Sequence, residues 1–293
     1  MKIIDTTTFF EEKMMMNLRF NILNQFVDHF IVCEARFTHS GKEKKINFNK
    51  LDYPEFEDKI THLIIDKEPE NIIKKDSIGI HEIRQNSIYR IKAQRNYILK
   101  SLKDFSPDDY IIYSDNDEIP NLQNFDFKNN KSKIILFKQV LFYYKFNLYL
   151  PKVDWFGSKS CKLKNLKSID MLRTIKNRKY NFFRIDTLFS SIKYQSINIV
   201  KEGGWHFSNL KNLEELERKY TNDENHAEYG NLGYSTDKIK QNLENRTIDY
   251  NHSAKKDSSD RYSSSKLERI NISILPKFLQ ENKKKYNDWF DLN

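Results

Sequence analysis

Tyr110-Ile111-Ile112-Tyr113-Ser114-Asp115-Asn116-Asp117-Glu118-Ile119-Pro120 is the stretch from which the rest of the chain can be read. A run of aromatic and β-branched residues ends abruptly in three acids and a proline. This is the pattern of a buried strand carrying Asp-x-Asp at its C-terminal end. In an open α/β sheet, ligands gather beyond the carboxyl ends of the strands. Two carboxylates one residue apart in that place can share a hard divalent cation, which takes oxygen ligands and bridges phosphates. The same tripeptide in a solvated acidic turn would only face water. The apolar run before it and Glu118-Ile119-Pro120 after it favour the cation.

Upstream, residues 2–5 read as a first short strand, with Thr6, Thr7 and Thr8 as a turn. Residues 11–25 read as a helix with Met14, Leu18, Ile22 and Phe26 on one face. Residues 29–34 and 62–66 are two further strands, each ending in an acid. This order predicts an α/β beginning with a parallel sheet. Residues 69–79 form a connection, and Ser87 caps a predicted helix over residues 88–103, apolar on one stripe and basic elsewhere. Downstream, residues 134–144 read as one long apolar strand and 197–200 as another. Trp155-Phe156-Gly157 and Asn181-Phe182-Phe183-Arg184 read as short strands or groove walls. Residues 212–220 and the Lys-rich 276–290 are predicted helices, and the polar, Ser-rich 257–265 a mobile segment. There is no internal repeat and no clear linker, so one domain is the simpler expectation.

The bulk numbers agree with a folded domain. The 293 residues are 38% hydrophobic and 14% aromatic, enough for a sizeable core. A net charge of +9 suggests an acidic partner: nucleotide phosphates, nucleic acid or an anionic membrane surface. The two cysteines, Cys33 and Cys161, make neither a disulfide framework nor a metal-ligand spacing, which fits a reducing compartment. Charge follows Met1 too soon for a signal peptide, and no apolar run has membrane-spanning length. A soluble, cytoplasmic protein is expected.

Two further constellations stand out. Gly203-Gly204-Trp205-His206 combines a permissive backbone with an imidazole held beside a Trp, and His206 can complete the shell of a cation shared by Asp115 and Asp117. His226-Ala227-Glu228 lies in an acidic stretch that either supplies a general base or is simply solvated. Arg95, on the basic helix, reads as charge compensation beside a phosphate site. Neither Gly-x-x-x-x-Gly-Lys nor Gly-x-Gly-x-x-Gly after the first strand is present, which argues against a P-loop nucleotidase and a dinucleotide-binding dehydrogenase.

In four stretches, kept in order, the chain resembles glycosyltransferase family 17, the family of β-1,4-mannosyl-glycoprotein β-1,4-N-acetylglucosaminyltransferase and its bacterial and viral relatives. The first is Ile4-Asp5-Thr6 with Phe9-Phe10-Glu11 and Arg19; the second is Phe30-Ile31-Val32-Cys33-Glu34 with Phe37-Thr38 and Ser40-Gly41-Lys42. The third is Gln94-Arg95-Asn96 with Asp109 and residues 114–120. The fourth is Gly204-Trp205-His206-Phe207-Ser208 with His226, Glu228 and Leu275-Pro276. Asn116 replaces the small apolar residue usual between the two Asp, and residues 145–200, where the acceptor should bind, match poorly.

The resemblance implies a GT-A-like α/β single domain: a Rossmann-like, mixed, mostly parallel sheet flanked by helices. Residues 1–120 would form the nucleotide-sugar-binding half and 121–293 the acceptor-binding and C-terminal half. It implies an inverting, metal-dependent transfer of a sugar, N-acetylglucosamine in the characterised animal members, from a UDP-sugar to a glycan, polysaccharide or lipid-linked acceptor. Mn²⁺ or Mg²⁺ would be held by Asp115, Asp117 and His206. Asp5, Thr6, Glu34, Arg95 and Asp115 would meet the donor. Glu228, then Asp154 or Glu118, would serve as general base. On the residues alone, the Lys-rich C-terminal helix is either an ordinary solvated face, the simpler reading, or a point of contact with an anionic membrane. Two other readings remain open on the residues alone: a basic nucleic-acid or anionic-surface binding protein, and a metal-dependent phosphohydrolase.

Overall fold

The computed structural model describes residues 1–75, 78–223, 226–227, 235–252 and 263–292. Its main sheet has seven strands: β1 (Ile3–Phe9), β2 (His29–Ala35), β3 (Ile60–Ile65), β4 (Tyr110–Tyr113), β6 (Ile134–Phe137), β9 (Lys159–Lys162) and β10 (Ile197–Val200), in the order β10-β6-β9-β4-β1-β2-β3. The centre, from β3 to β4, is parallel, β9 runs antiparallel to β4 and β6, and β10 is parallel to β6. The fold is therefore mixed α/β with a mostly parallel sheet.

Helices cover both faces, so the central strands β1, β2 and β4 are buried almost throughout, β1 despite carrying Asp5 and three threonines. On β2, Phe30 and Val32 join the cluster under α1 (Lys13–Leu23), whereas Ile31 and Cys33 join the opposite cluster with Ile4, Ile111 and Ile98. This is the two-residue alternation of a strand. Phe20 of α1 is fully buried, with its ring edge-on to Phe30 at 4.8 Å and to Tyr53 at 5.0 Å. Residues from both ends of the chain share that cluster, from Phe9 to Phe290.

A second, five-stranded sheet stands beyond the C-terminal ends of β1 and β4. Its strands are β5 (Glu118–Pro120), β7 (Val140–Tyr143), β8 (Leu148–Tyr149), β11 (Gly204–Ser208) and β14 (Glu268–Arg269), in the order β14-β8-β7-β11-β5. The short ribbon of β12 (Thr247–Ile248) and β13 (Ser265–Lys266) pairs separately and packs against it, with Ile248 in one cluster with Leu141 and Leu148. The long strand expected over 134–144 is thus two strands in two sheets. The break falls at Lys138, whose amide donates to the Val200 carbonyl and whose carbonyl accepts from the Gly203 amide at 2.8 Å. A Cβ on Gly203 would lie 2.5 Å from the Lys138 nitrogen, so only glycine permits this crossing. Gly204, at φ +122°, then turns the chain into β11 in a conformation other residues rarely adopt.

Several local expectations are corrected. Thr6, Thr7 and Thr8 continue β1 rather than turning. The basic helix, α2 (Ile80–Tyr97), begins about two turns before Ser87, at Gly79, whose amide donates to Glu82 Oε2. Ser87 lies inside it and donates to the Ile83 carbonyl. After α3 (Ile169–Thr174), residues 181–184 form no strand. The helix expected over 212–220 is α4 (Leu213–Asn222), closed by reciprocal Asn212–Glu215 bonds, and α5 (Thr236–Asn245) follows. The terminal helix shrinks to α6 (Lys277–Glu281) and a later 3-10 turn. The segment expected to be mobile, 257–265, lies largely outside the described residues.

Candidate functional site

The site is assembled where the two sheets meet. β4 ends at Tyr113, and residues 114–117 carry the chain into β5 of the second sheet. There β11 pairs antiparallel to β5, with His206 opposite Glu118, and the Phe207 amide donates to the Asp117 carbonyl at 2.8 Å. This register brings His206 beside the Asp-x-Asp turn across almost ninety residues of sequence. Below the turn lies a sealed ion pair, in which Arg19 forks onto both oxygens of Asp5 at 2.6 and 2.7 Å. Arg19 also donates to the Glu118 carbonyl and to Ser114 Oγ, both at 2.8 Å. The buried guanidinium is thereby saturated and pins the turn from beneath.

Above the turn is a cavity of about 400 Å³, lined by residues that include Thr8, Phe10, His39, Gln94, Arg95, Asp115, Asp117, Arg173 and His206. Asp115 is held through both of its carboxylate oxygens. Its Oδ1 accepts from the Tyr113 hydroxyl at 2.9 Å and lies 3.5 Å from Arg95, while its Oδ2 accepts from Arg173 at 2.9 Å. Burial opposes its charge, but the Arg173 and Arg95 guanidiniums outweigh it and hold the carboxyl well below its usual range. Asp117 is also lowered: burial raises it, and His206 and Lys219 more than compensate. His206 Nε2 stands 3.5 Å from Asp117 Oδ1, its ring packs on Trp155 at 4.6 Å, and its buried Nδ1 has no hydrogen-bond partner among the described residues.

Glu12 faces the same cavity from the start of α1. Burial raises its carboxyl, yet Lys211 and the Glu11 amide bring it down to about 2. It accepts from Asn116 Nδ2, so Asn116 links the turn to α1. His39 is pushed down to about 4, first by burial and then by Arg95, and is neutral at neutral pH.

The expected site residues separate into two groups. Asp115, Asp117, His206 and Arg95 converge on the cavity. Asp5, Thr6 and Glu34 do not: they lie within the sheet, at most 1% exposed. Asp5 is engaged by Arg19, and Thr6 donates to the Ile112 carbonyl. Glu34 accepts from Lys44 and from the amides of Asn47 and Phe48, tying down the loop after β2. In this structure all three side chains hold the framework.

Glu118 reaches the cavity floor, but its oxygens accept from the Asp115 amide, Trp155 Nε1 and Arg173 at 2.7–3.0 Å. So engaged, its carboxylate ties Asp115, Trp155 and Arg173 together. A Cβ on Gly157 would fall 2.1 Å from the Glu118 carboxyl carbon, so the floor closes only over glycine. Asp154 is 62% exposed, pairs with Lys138 at 2.7 Å, and lines a neighbouring cavity that shares Trp155 and Arg173 with the first. His226 bonds the Asp223 carbonyl just after α4, and Glu228 lies outside the described residues.

Arg173 was not anticipated. It reaches the site from α3, which Ser168 caps by accepting from the Met171 amide. Lys159 bonds the Arg173 and Ile175 carbonyls at the other end of α3, and burial together with Arg173 draws its ammonium down to about 7.

Among the described residues, no three His, Cys, Asp or Glu side chains stand together closely enough to hold a metal ion as they are. The donor chemistry is nonetheless suitable. Among the described residues, the Asp117 carboxylate has no bond beyond the long approach of His206, the buried His206 ring keeps one nitrogen unpartnered, and Asp115 is adjacent. Carboxylate and imidazole donors in one polar cavity suit Mn²⁺ or Mg²⁺, and the two guanidiniums suit phosphate oxygens.

A polar cleft at the C-terminal edge of a mostly parallel sheet defines an α/β protein of the class that binds its ligands beyond the strand ends. A sequence model of glycosyltransferase family 17 matches residues 1–225, and the chain belongs to that family. It is therefore a glycosyltransferase, as the four ordered motifs implied, and the match runs from β1 past α4. Comparison with curated proteins returns no match. No helix among the described residues is long and apolar enough to cross a membrane.

Proposed function

We propose that this glycosyltransferase moves N-acetylglucosamine from a UDP-sugar, with inversion, to a hydroxyl of a glycan, polysaccharide or lipid-linked oligosaccharide. The observation that carries the reading is the convergence of Asp115, Asp117, His206, Arg95 and Arg173 on one cavity where the two sheets meet. Departure of a nucleoside diphosphate develops negative charge on its β-phosphate, and fixed positive charge in a cleft stabilises that charge as it forms. Arg95 and Arg173 supply it from this chain. Asp117 and His206, with Asp115, would hold Mn²⁺ or Mg²⁺, which when bound adds further positive charge at the diphosphate.

The acceptor hydroxyl must lose a proton as it attacks. Of the carboxylates considered for this step, Asp154 is the described one whose oxygens stand largely open at a cavity wall. It would approach from the side of Trp155, leaving the diphosphate to the arginines. The test is UDP release from UDP-N-acetylglucosamine with and without Mn²⁺, beside a thermal-shift panel of nucleotide sugars. Mn²⁺-dependent UDP release that collapses in Asp117→Ala supports the reading. Full turnover in Asp117→Ala, or stabilisation by no UDP-sugar, removes it.

A further inference from the structure

One surface plays no part in the cleft. Between α3 and β10, five large apolar side chains within residues 182–189 face solvent: Phe182, Phe183, Ile185, Leu188 and Phe189, each at least 69% exposed. Soluble monomers seldom expose an apolar patch beyond a few hundred Å². Three phenylalanines of roughly 150–250 Å² each bring this loop to that limit.

The loop is organised from within. Gln195 Nε2 donates to the Phe182 carbonyl and to Thr187 Oγ1, and Thr187 in turn donates to the Arg184 carbonyl at 2.6 Å. Tyr180 is buried beneath, with the Arg178 and Arg184 guanidiniums over its ring at 4.7 and 5.6 Å. Polar groups therefore close inward while the apolar side chains point out, the reverse of an ordinary surface loop. The rim is basic: between residues 175 and 195 stand Lys176, Arg178, Lys179, Arg184 and Lys193 against one acid, Asp186. A second copy of the chain would set that rim against its own like charge, whereas a surface of lipid phosphates complements it.

We propose that residues 176–193 dock on an anionic lipid bilayer. The exposed phenylalanines enter the headgroup boundary, and the Lys and Arg side chains meet lipid phosphates. Lys176 also lines the cavity that shares Trp155 and Arg173 with the main cleft, so the docked loop sets that side of the molecule at the membrane. The C-terminal lysines, which on sequence alone could make such a contact, are less suited to it. There α6 is only five residues long.

The test is co-sedimentation of the full chain with vesicles of phosphatidylcholine, alone or mixed with phosphatidylglycerol. It does not depend on the donor sugar. Binding to the mixed vesicles only, weakened by salt, and reduced at least about tenfold in Phe182→Ser/Phe183→Ser/Phe189→Ser, is the expected result. Lys176→Glu/Lys179→Glu should weaken binding without touching the apolar tip. Both variants alter exposed positions and should keep the parent's unfolding temperature. No binding by the parent chain, or equal binding by the Ser variant, overturns the proposal. So does light scattering that shows a parent dimer, made monomeric by the Ser variant, with neither form on vesicles.

Discussion

Two arginine–carboxylate clusters lie one above the other in this molecule, and their difference separates framework from chemistry. In the lower, Arg19 and Asp5 are at most 1% exposed and every donor is matched inside the sheet. In the upper, Arg95 and Arg173 meet Asp115 at the wall of a cavity, and all three are accessible to something entering it. The lower pair can stabilise and position but cannot respond to a ligand. The upper one can exchange partners.

The largest effect should come from breaking the lower cluster. Arg19→Ala strands a buried carboxylate, and removing one partner of such a pair costs about 3–5 kcal/mol. Urea unfolding should show that loss even without ligand, and an unchanged midpoint would place Asp5 in contact with water. In the upper cluster the effect should fall on function. Asp117→Ala is expected to lower UDP-sugar turnover on the order of 100-fold while leaving the unfolding midpoint near that of the parent.

Arg173→Ala should weaken UDP binding by about 10- to 100-fold in calorimetry, the range for a lost hydrogen bond to a charged group. Arg173→Lys should not restore it, because one ammonium does not reproduce the planar fork. The smallest effect should be one of pH. Glu12 has a folded value near 2 against an ordinary 4.5, so it contributes stability above about pH 4.5 that is lost as pH falls through 2. Glu12→Gln should flatten the acid side of a thermal-midpoint profile; an unaltered slope would show that Lys211 and the Glu11 amide do not hold its charge.

The sequence shows acids at strand ends, but not which of them are already engaged. Asp5, Glu34 and Asp115 look alike in that respect. What separates them is a partner arriving from elsewhere: Arg19 for Asp5, and Lys44 with the amides of 47 and 48 for Glu34. Strand alternation assigns a face and carries no record of such partners. Arg173 escaped notice because α3 has six residues, fewer than two turns, too few to show a helical period. The split of 134–144 was hidden because both pieces are apolar and the break is made by Gly203 some sixty residues away, through bonds to Lys138. The parallel α/β beginning, the Asp115–Asp117 turn and the nearness of His206 were legible because each rests on local pattern or on a short motif.

The bare backbone at Gly157 has a consequence for altering this enzyme. One carboxylate, Glu118, anchors an indole, a guanidinium and a main-chain amide, and any methyl group at 157 would displace it. Gly157→Ala would therefore disturb Trp155, Arg173 and the Asp115 amide at once.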